Sequence, residues 1–152
     1  MISLLVINGP NLNMLGIREP AVYGSGTLED LNKNLLEHVE GKDVSLDFFQ
    51  SNHEGALIDA LHEAHFSGVD GIVLNAGALT HYSYALHDAI SSIGIPCVEV
   101  HLSDINKREP FRKVSVIREV CVASFFGMGE QSYIKGLDFL ITLARKMKER
   151  TK

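Results

Sequence analysis

Ile2-Ser3-Leu4-Leu5-Val6-Ile7-Asn8-Gly9-Pro10-Asn11 opens the chain with an apolar run that stops at a Gly-Pro turn. A near-continuous apolar run, rather than strict alternation, marks a strand covered on both faces, the condition of a parallel sheet flanked by helices. The pattern recurs downstream. Val44–Phe49 stops at Gln50-Ser51-Asn52, Gly71–Leu74 at Asn75-Ala76-Gly77, and Cys97–Val100 at His101-Leu102-Ser103; Glu119–Phe126 reads as a fifth strand. In a parallel sheet the carboxyl ends of the strands share one edge, where ligands bind. Polar residues scattered over half the chain therefore converge on one pocket, as an enzyme or a tight small-molecule binder requires.

Helical spacing fills the intervals. Thr27 is an N-cap with Glu29 and Asp30 in the first turn, and Leu28, Leu31, Leu35 and Val39 follow at helical period. Glu54–Phe66 carries Leu57, Leu61 and Ala64 on one face, and Tyr82–Ile93 carries Leu86, Ala89, Ile90 and Ile93. Gln131–Lys148 closes the chain with Ile134, Leu137, Ile141 and Ala144 inward. Strand and helix alternate, so the fold class is α/β, with helices on both faces of a parallel sheet. Five strands suit the flavodoxin-like order 2-1-3-4-5. With 152 residues and no linker or repeat, residues 1–152 form a single domain. Two long segments, Asn11–Gly26 and Ser103–Ser115, are too irregular for either element, and such loops commonly carry function.

Composition removes several classes. A net charge of -5 and a pI near 5.8 leave no basic surface for nucleic acid. The cations of the last turns, Arg145 to Lys152, suit the negative end of a helix dipole. No apolar stretch is long enough to span a bilayer, and Met1-Ile2-Ser3 lacks a basic leader, so a cytoplasmic location is expected. Cys97 and Cys121 lie in apolar runs and read as buried free thiols. His62-Glu63-Ala64-His65 spaces its histidines three apart rather than four, so no metal site is expected. Gly127-Met128-Gly129 lacks the third glycine of a dinucleotide loop, and no cofactor is expected.

Four clusters remain that could do chemistry. Arg18 and Tyr23 share the first long loop, where a guanidinium could favour a phenolate whose pKa is otherwise about 10. Taken alone, that loop reads as an exposed Arg and a surface-packed Tyr. Strand alternation puts Glu99 and His101 on one face. That placement fits either an imidazole oriented by a carboxylate as a proton donor or a strand-end His bonded to backbone. Asn75 to His81 offers a side-chain amide and helix N-terminal N–H groups for an anionic group, or simply a helix capped by Thr80. Arg108-Glu109-Pro110-Phe111-Arg112 offers two guanidiniums for a carboxylate, or solvated charges.

Assembled in order, these blocks resemble the type II 3-dehydroquinate dehydratases. The likeness runs through Asn8-Gly9-Pro10-Asn11-Leu12-Asn13, Leu15-Gly16-Ile17-Arg18-Glu19, Tyr23-Gly24, Gln50-Ser51-Asn52-His53-Glu54-Gly55, Asn75-Ala76-Gly77-Ala78-Leu79-Thr80-His81, Asp88-Ala89, Glu99-Val100-His101-Leu102-Ser103 and Arg108-Glu109-Pro110-Phe111-Arg112. The resemblance implies a flavodoxin-like subunit, trimers assembled into a dodecamer, and reversible dehydration of 3-dehydroquinate to 3-dehydroshikimate in the shikimate pathway. It implies Tyr23 as base, Arg18 as its electrostatic helper, His101 as acid, Glu99 as the group orienting His101, and Asn11 acting on the enolate through water. Asn75, His81, Leu102, Ser103 and Arg112 would hold substrate, and Asp88 would reach a neighbouring subunit's site. Two positions depart from the pattern: Asp104 stands where the family usually has asparagine, and Ser132 replaces a common glycine before Tyr133.

Three other classes compete. An FMN-binding module needs a phosphate loop after the first strand, but Pro10 has no amide to donate. A receiver-type signalling domain needs clustered acids there, and none occur. An inactive, assembly-forming homologue is disfavoured because every proposed catalytic group is present.

Overall fold

The computed structural model describes residues 1–17 and 26–152. Arg18 and Tyr23, and half of the Asn11–Gly26 loop, lie outside the described residues.

Five parallel strands, β1 (Ile2–Asn8), β2 (Val44–Gln50), β3 (Gly71–Asn75), β4 (Cys97–His101) and β5 (Ala123–Phe126), form one sheet in the order β2-β1-β3-β4-β5. Among the described residues four helices, α1 (Leu28–Val39), α2 (Glu54–Ser67), α3 (Tyr84–Ile93) and α4 (Glu130–Arg150), cover it. The expected α/β, flavodoxin-like order is the one found.

Alternation along the central strands builds two cores. Leu4, Val6, Val73, Val98 and Val100 face Leu35 of α1 and Leu137 and Leu140 of α4. Ile7, Ile72, Leu74 and Cys97 face Leu57 and Leu61 of α2 and Leu86 and Ile90 of α3. Every residue of β3 and β4 is buried, which is why both segments read as unbroken apolar runs. Burying one such Leu or Ile side chain contributes about 1.5–3 kcal/mol.

Helix starts follow local chemistry. Thr27 and Asp30 form a reciprocal capping box, each side chain accepting the other's backbone N–H at 3.1 Å. At α3 the cap is Ser83 rather than Thr80: Ser83 Oγ accepts the Leu86 N–H at 3.0 Å and donates to Glu54 at 2.5 Å. Residues Gly77–His81 form a separate 3-10 turn, so the helix begins two residues later than its apolar period suggests. The fifth strand is also shorter than expected. Arg118–Val120 is a 3-10 turn, and pairing with β4 starts only at Val98 with Ala123. Val122 N–H already reaches the Cys97 carbonyl at β4's first residue, so nothing earlier on β4 can pair with Glu119–Cys121. Cys97 is buried, but Cys121 is only half-buried, contrary to expectation.

Both departures from the family pattern find local partners. Asp104 caps a short turn by accepting the Asn106 N–H at 3.0 Å, and the buried Ser132 hydroxyl accepts the Met128 N–H at 3.2 Å. Among the described residues no helix is long and apolar enough to cross a membrane, and no cluster of His, Cys, Asp and Glu could hold a metal ion.

Candidate active site

At the carboxyl edge of the sheet, the turns after β1, β3 and β4 enclose a cleft of about 670 Å³, open mouth included. Asn11 comes from the first turn, Asn75 and His81 from the second, and His101, Leu102 and Ser103 from the third; Arg108 and Arg112 approach from the loop beyond β4. The structure thus brings together eight of the sequence-expected residues or their neighbours.

Close backbone approach holds the first two turns together. A Cβ on Gly9 would sit 2.6 Å from the Ala76 carbonyl oxygen. Gly77 has φ +60, and a Cβ there would meet the Pro10 carbonyl oxygen at 2.9 Å. Only glycine allows these strand ends to touch. The end of β2 then fixes Asn11, which sits in the left-handed region at φ 71. Asn52 Oδ1 accepts the Asn11 N–H at 2.9 Å, and Gln50 Nε2 donates to Asn52 Oδ1 at 3.1 Å and to the Gly9 carbonyl at 3.2 Å.

Beneath this floor lies a buried polar chain. Asn75 Nδ2 donates to Tyr133 Oη at 2.8 Å, and Tyr133 Oη donates to Asn8 Oδ1 at 2.5 Å. Asn75 Oδ1 accepts the Gly77 N–H at 3.1 Å. Burial pushes the Tyr133 phenol far above its usual range, so it stays a neutral donor. Asn75 lines the cleft with an amide already oriented from below.

The Glu99–His101 pair is the most defined feature. Glu99 and His101 are both buried, and His101 Nε2 lies 2.7 Å from Glu99 Oε2. Burial alone would raise the Glu99 pKa, but the bonds from His101 and Ser115 and the charges of His101 and Arg118 outweigh it, and the carboxyl sits below its ordinary value. An ionised Glu99 makes Nε2 the protonated nitrogen, which leaves Nδ1 for a ligand. The imidazole therefore meets a carboxylate rather than backbone.

His81 adds a second imidazole. Its Nδ1 donates to the Val114 carbonyl at 2.6 Å, and its ring stands edge-on to Phe111. Burial lowers its pKa, the Val114 bond opposes that, and His101 and Arg112 lower it further. A neutral ring with Nδ1 protonated leaves Nε2 as an acceptor. Arg112 stacks on Phe111 at 4.9 Å and lies 2.7 Å from Glu109 Oε2. That ion pair holds the guanidinium at the cleft wall. The carbonyls of Leu102 and Ser103 accept the Gly129 and Gly127 N–H groups, which fixes the orientation of those peptides.

Asp88 does not reach this cleft within one chain. It is exposed on α3, 3.0 Å from His87, in a separate groove with Tyr84, Arg118 and Glu119. Sequence reasoning missed Ser115, Arg118 and Ser124, which surround Glu99, and Asn8 with Tyr133, which hold Asn75. None has a local spacing signal; their distances along the chain from the residues they serve run from 16 to 125.

Comparison with known proteins is consistent throughout. The family model for dehydroquinase class II matches residues 2–141. The 3-dehydroquinate dehydratase of Bacillus pumilus is 55% identical over 142 residues, covering 93% of this chain and 96% of the relative. That of Chlorobaculum tepidum is 56% identical over 140 residues, covering 91% and 93%. The crystal structure of type II dehydroquinase from Butyrivibrio crossotus superposes with a TM-score of 0.90 at 49% identity, covering 91% of this chain and 97% of that one.

Proposed function

The chain belongs to the class II dehydroquinases, the type II 3-dehydroquinate dehydratases of the shikimate pathway, and from that premise we propose that it eliminates water from 3-dehydroquinate in the anti sense through an enolate. The observation that carries the reading is His101, buried at the cleft with Nε2 on an ionised Glu99 and Nδ1 free for a ligand.

The substrate is a ketone with a hydroxyl β to it. Tyr23, as a phenolate favoured by Arg18, takes the proton from the carbon next to the carbonyl. That carbon acid is far weaker than phenol, so the charge growing on the carbonyl oxygen must meet preorganised donors, commonly the largest single contribution to catalysis. Asn11 supplies it through a water. His101, in its imidazolium form with Nε2–H on Glu99, then gives its Nδ1 proton to the departing hydroxyl, the C–O bond breaks, and the enolate electrons close the double bond as water leaves. Arg112, Asn75, His81 and the Leu102 and Ser103 peptides hold the substrate. Acid and base on opposite ring faces give the anti outcome. Subunits assemble as a dodecamer, a tetramer of trimers, in which Asp88 reaches a neighbouring cleft.

The test is incubation with 3-dehydroquinate while the ultraviolet absorbance of the conjugated product is followed. Wild type should turn over, and His101→Ala should retain substrate and lose the elimination. A folded wild-type protein that forms no product would overturn the reading.

A further inference from the structure

Glu99 gathers donors from three separate segments. Its Oε2 meets His101 Nε2 at 2.7 Å and Ser115 Oγ at 2.8 Å, and its Oε1 meets Arg118 Nε at 3.1 Å and Ser124 Oγ at 3.5 Å. Glu99 is completely buried, whereas Arg118 is partly exposed and stacks on Phe126 at 5.1 Å. One cation from the rim therefore compensates a carboxylate deep in the sheet. Other charged or titratable groups near the pair are His81 and Arg112 on the cleft side and the Cys97 thiol along β4. Glu119, beside Arg118 in sequence, is committed to His87 at 2.7 Å. Arg118 is thus the cation in direct contact with Glu99 on the side away from the cleft.

We propose that Arg118, seconded by Ser115, is a positioning residue for the elimination: it pins the Glu99 carboxylate so that His101 keeps Nε2 inward and Nδ1 toward substrate, and it sets how tightly the pair holds its shared proton. This rests on the reading of His101 as the acid. A buried carboxylate without its cation is costly, and the cost falls if a proton moves onto it. Without Arg118 the pair binds its proton more firmly and gives it up at higher pH, as one coupled unit. The donor facing the substrate becomes weaker, and its orientation is less firmly held.

The experiment compares kcat and KM across pH for wild type, Arg118→Met, Arg118→Lys, Ser115→Ala and His101→Ala, and follows the His101 ring by NMR in the free enzyme. Arg118→Met should lower kcat about ten- to a hundredfold, a part of the ~10²–10⁴-fold that a positioned acid contributes, with KM little changed. Its alkaline limb and the His101 titration should both move up by about one pH unit. Arg118→Lys, which restores the charge, should recover most of both. Wild-type kcat with an unmoved limb in Arg118→Met would overturn the proposal, as would an Arg118→Lys variant as impaired as Arg118→Met. Should Arg118→Met not fold, Ser115→Ala must shift the His101 titration in the same direction by a smaller step, and an unmoved titration overturns the idea. Full turnover in His101→Ala would instead refute the acid assignment, while the free-enzyme titration continues to judge Arg118.

Discussion

His101 meets the cleft with one ring nitrogen committed and the other available, and that asymmetry gives the residue-scale chemistry its direction. His101→Ala should lower the single-turnover elimination rate by about 10²–10⁴-fold while an unreacted substrate complex still forms; an unchanged rate would remove it as acid. Tyr23→Phe should bind substrate and lose nearly all turnover, and wild-type kcat in that variant would remove Tyr23 as base. The Glu99 carboxyl also leaves a signature in stability. Its folded pKa lies below the ordinary 4.5, so the stabilisation is fully present above that pH and is lost as pH falls through the lower folded value. Urea midpoints measured against pH should therefore drop in that acid window, and Glu99→Gln should flatten the drop. A variant with the same acid slope as wild type would show that the carboxylate is not responsible. Lysine is absent from the described cleft lining, so borohydride with substrate should leave the enzyme active; covalent inactivation would contradict an enolate route.

Strand ends and one helix hold these residues in place. Tyr133 on α4 ties β1 to β3 through Asn8 and Asn75. Tyr133→Phe would leave a buried Asn8 oxygen and a buried Asn75 N–H unpartnered, at about 1–3 kcal/mol. Urea unfolding should register that loss, and KM should rise as Asn75 turns in the cleft. A variant with unchanged stability would mean that water replaces the hydroxyl without cost. Gly9→Ala addresses the contact between the β1 and β3 turns. Its methyl would have to displace backbone at Ala76, so a destabilisation of about 1–3 kcal/mol with reduced turnover is expected. An alanine variant with wild-type stability and rate would show that the turns can separate freely.

For the whole molecule, assembly is what completes the proposed site. Asp88 stands outside its own chain's cleft, beside exposed Tyr84 on α3, so its proposed service to a neighbour's cleft requires assembly. Sedimentation should give about twelve times the 16.7 kDa chain mass. Asp88→Asn should lower kcat/KM, and mixed assemblies with Tyr23→Phe chains should not follow a simple sum of independent subunits. A fully active monomer would refute both the assembly and the shared site.

Much of this organisation is written locally. Five apolar runs, helical periods between them and polar stops after them depend on neighbours a few residues apart, so the α/β class, the helix faces and the residues of the carboxyl edge were legible before any coordinates. The Glu99–His101 contact was legible too, because residues two apart on a strand share a face. The length of β5 was not: Glu119-Val120-Cys121-Val122 has strand-like composition, but β4 offers no partner before Cys97, and a ladder needs both sides. Nor was the capping of α3 by Ser83, since Thr80 is an equally good cap in sequence and differs only in lying inside the 3-10 turn that precedes the helix. The surroundings of Glu99 were the least visible. Arg118 lies 19 residues away and Ser124 lies 25, and such donors meet one carboxylate only after helices and turns have folded the chain back across the sheet. Composition and period say which face a side chain takes; which distant charge will lie 3.1 Å from it is set by strand order and register, and those arise from packing the whole chain at once.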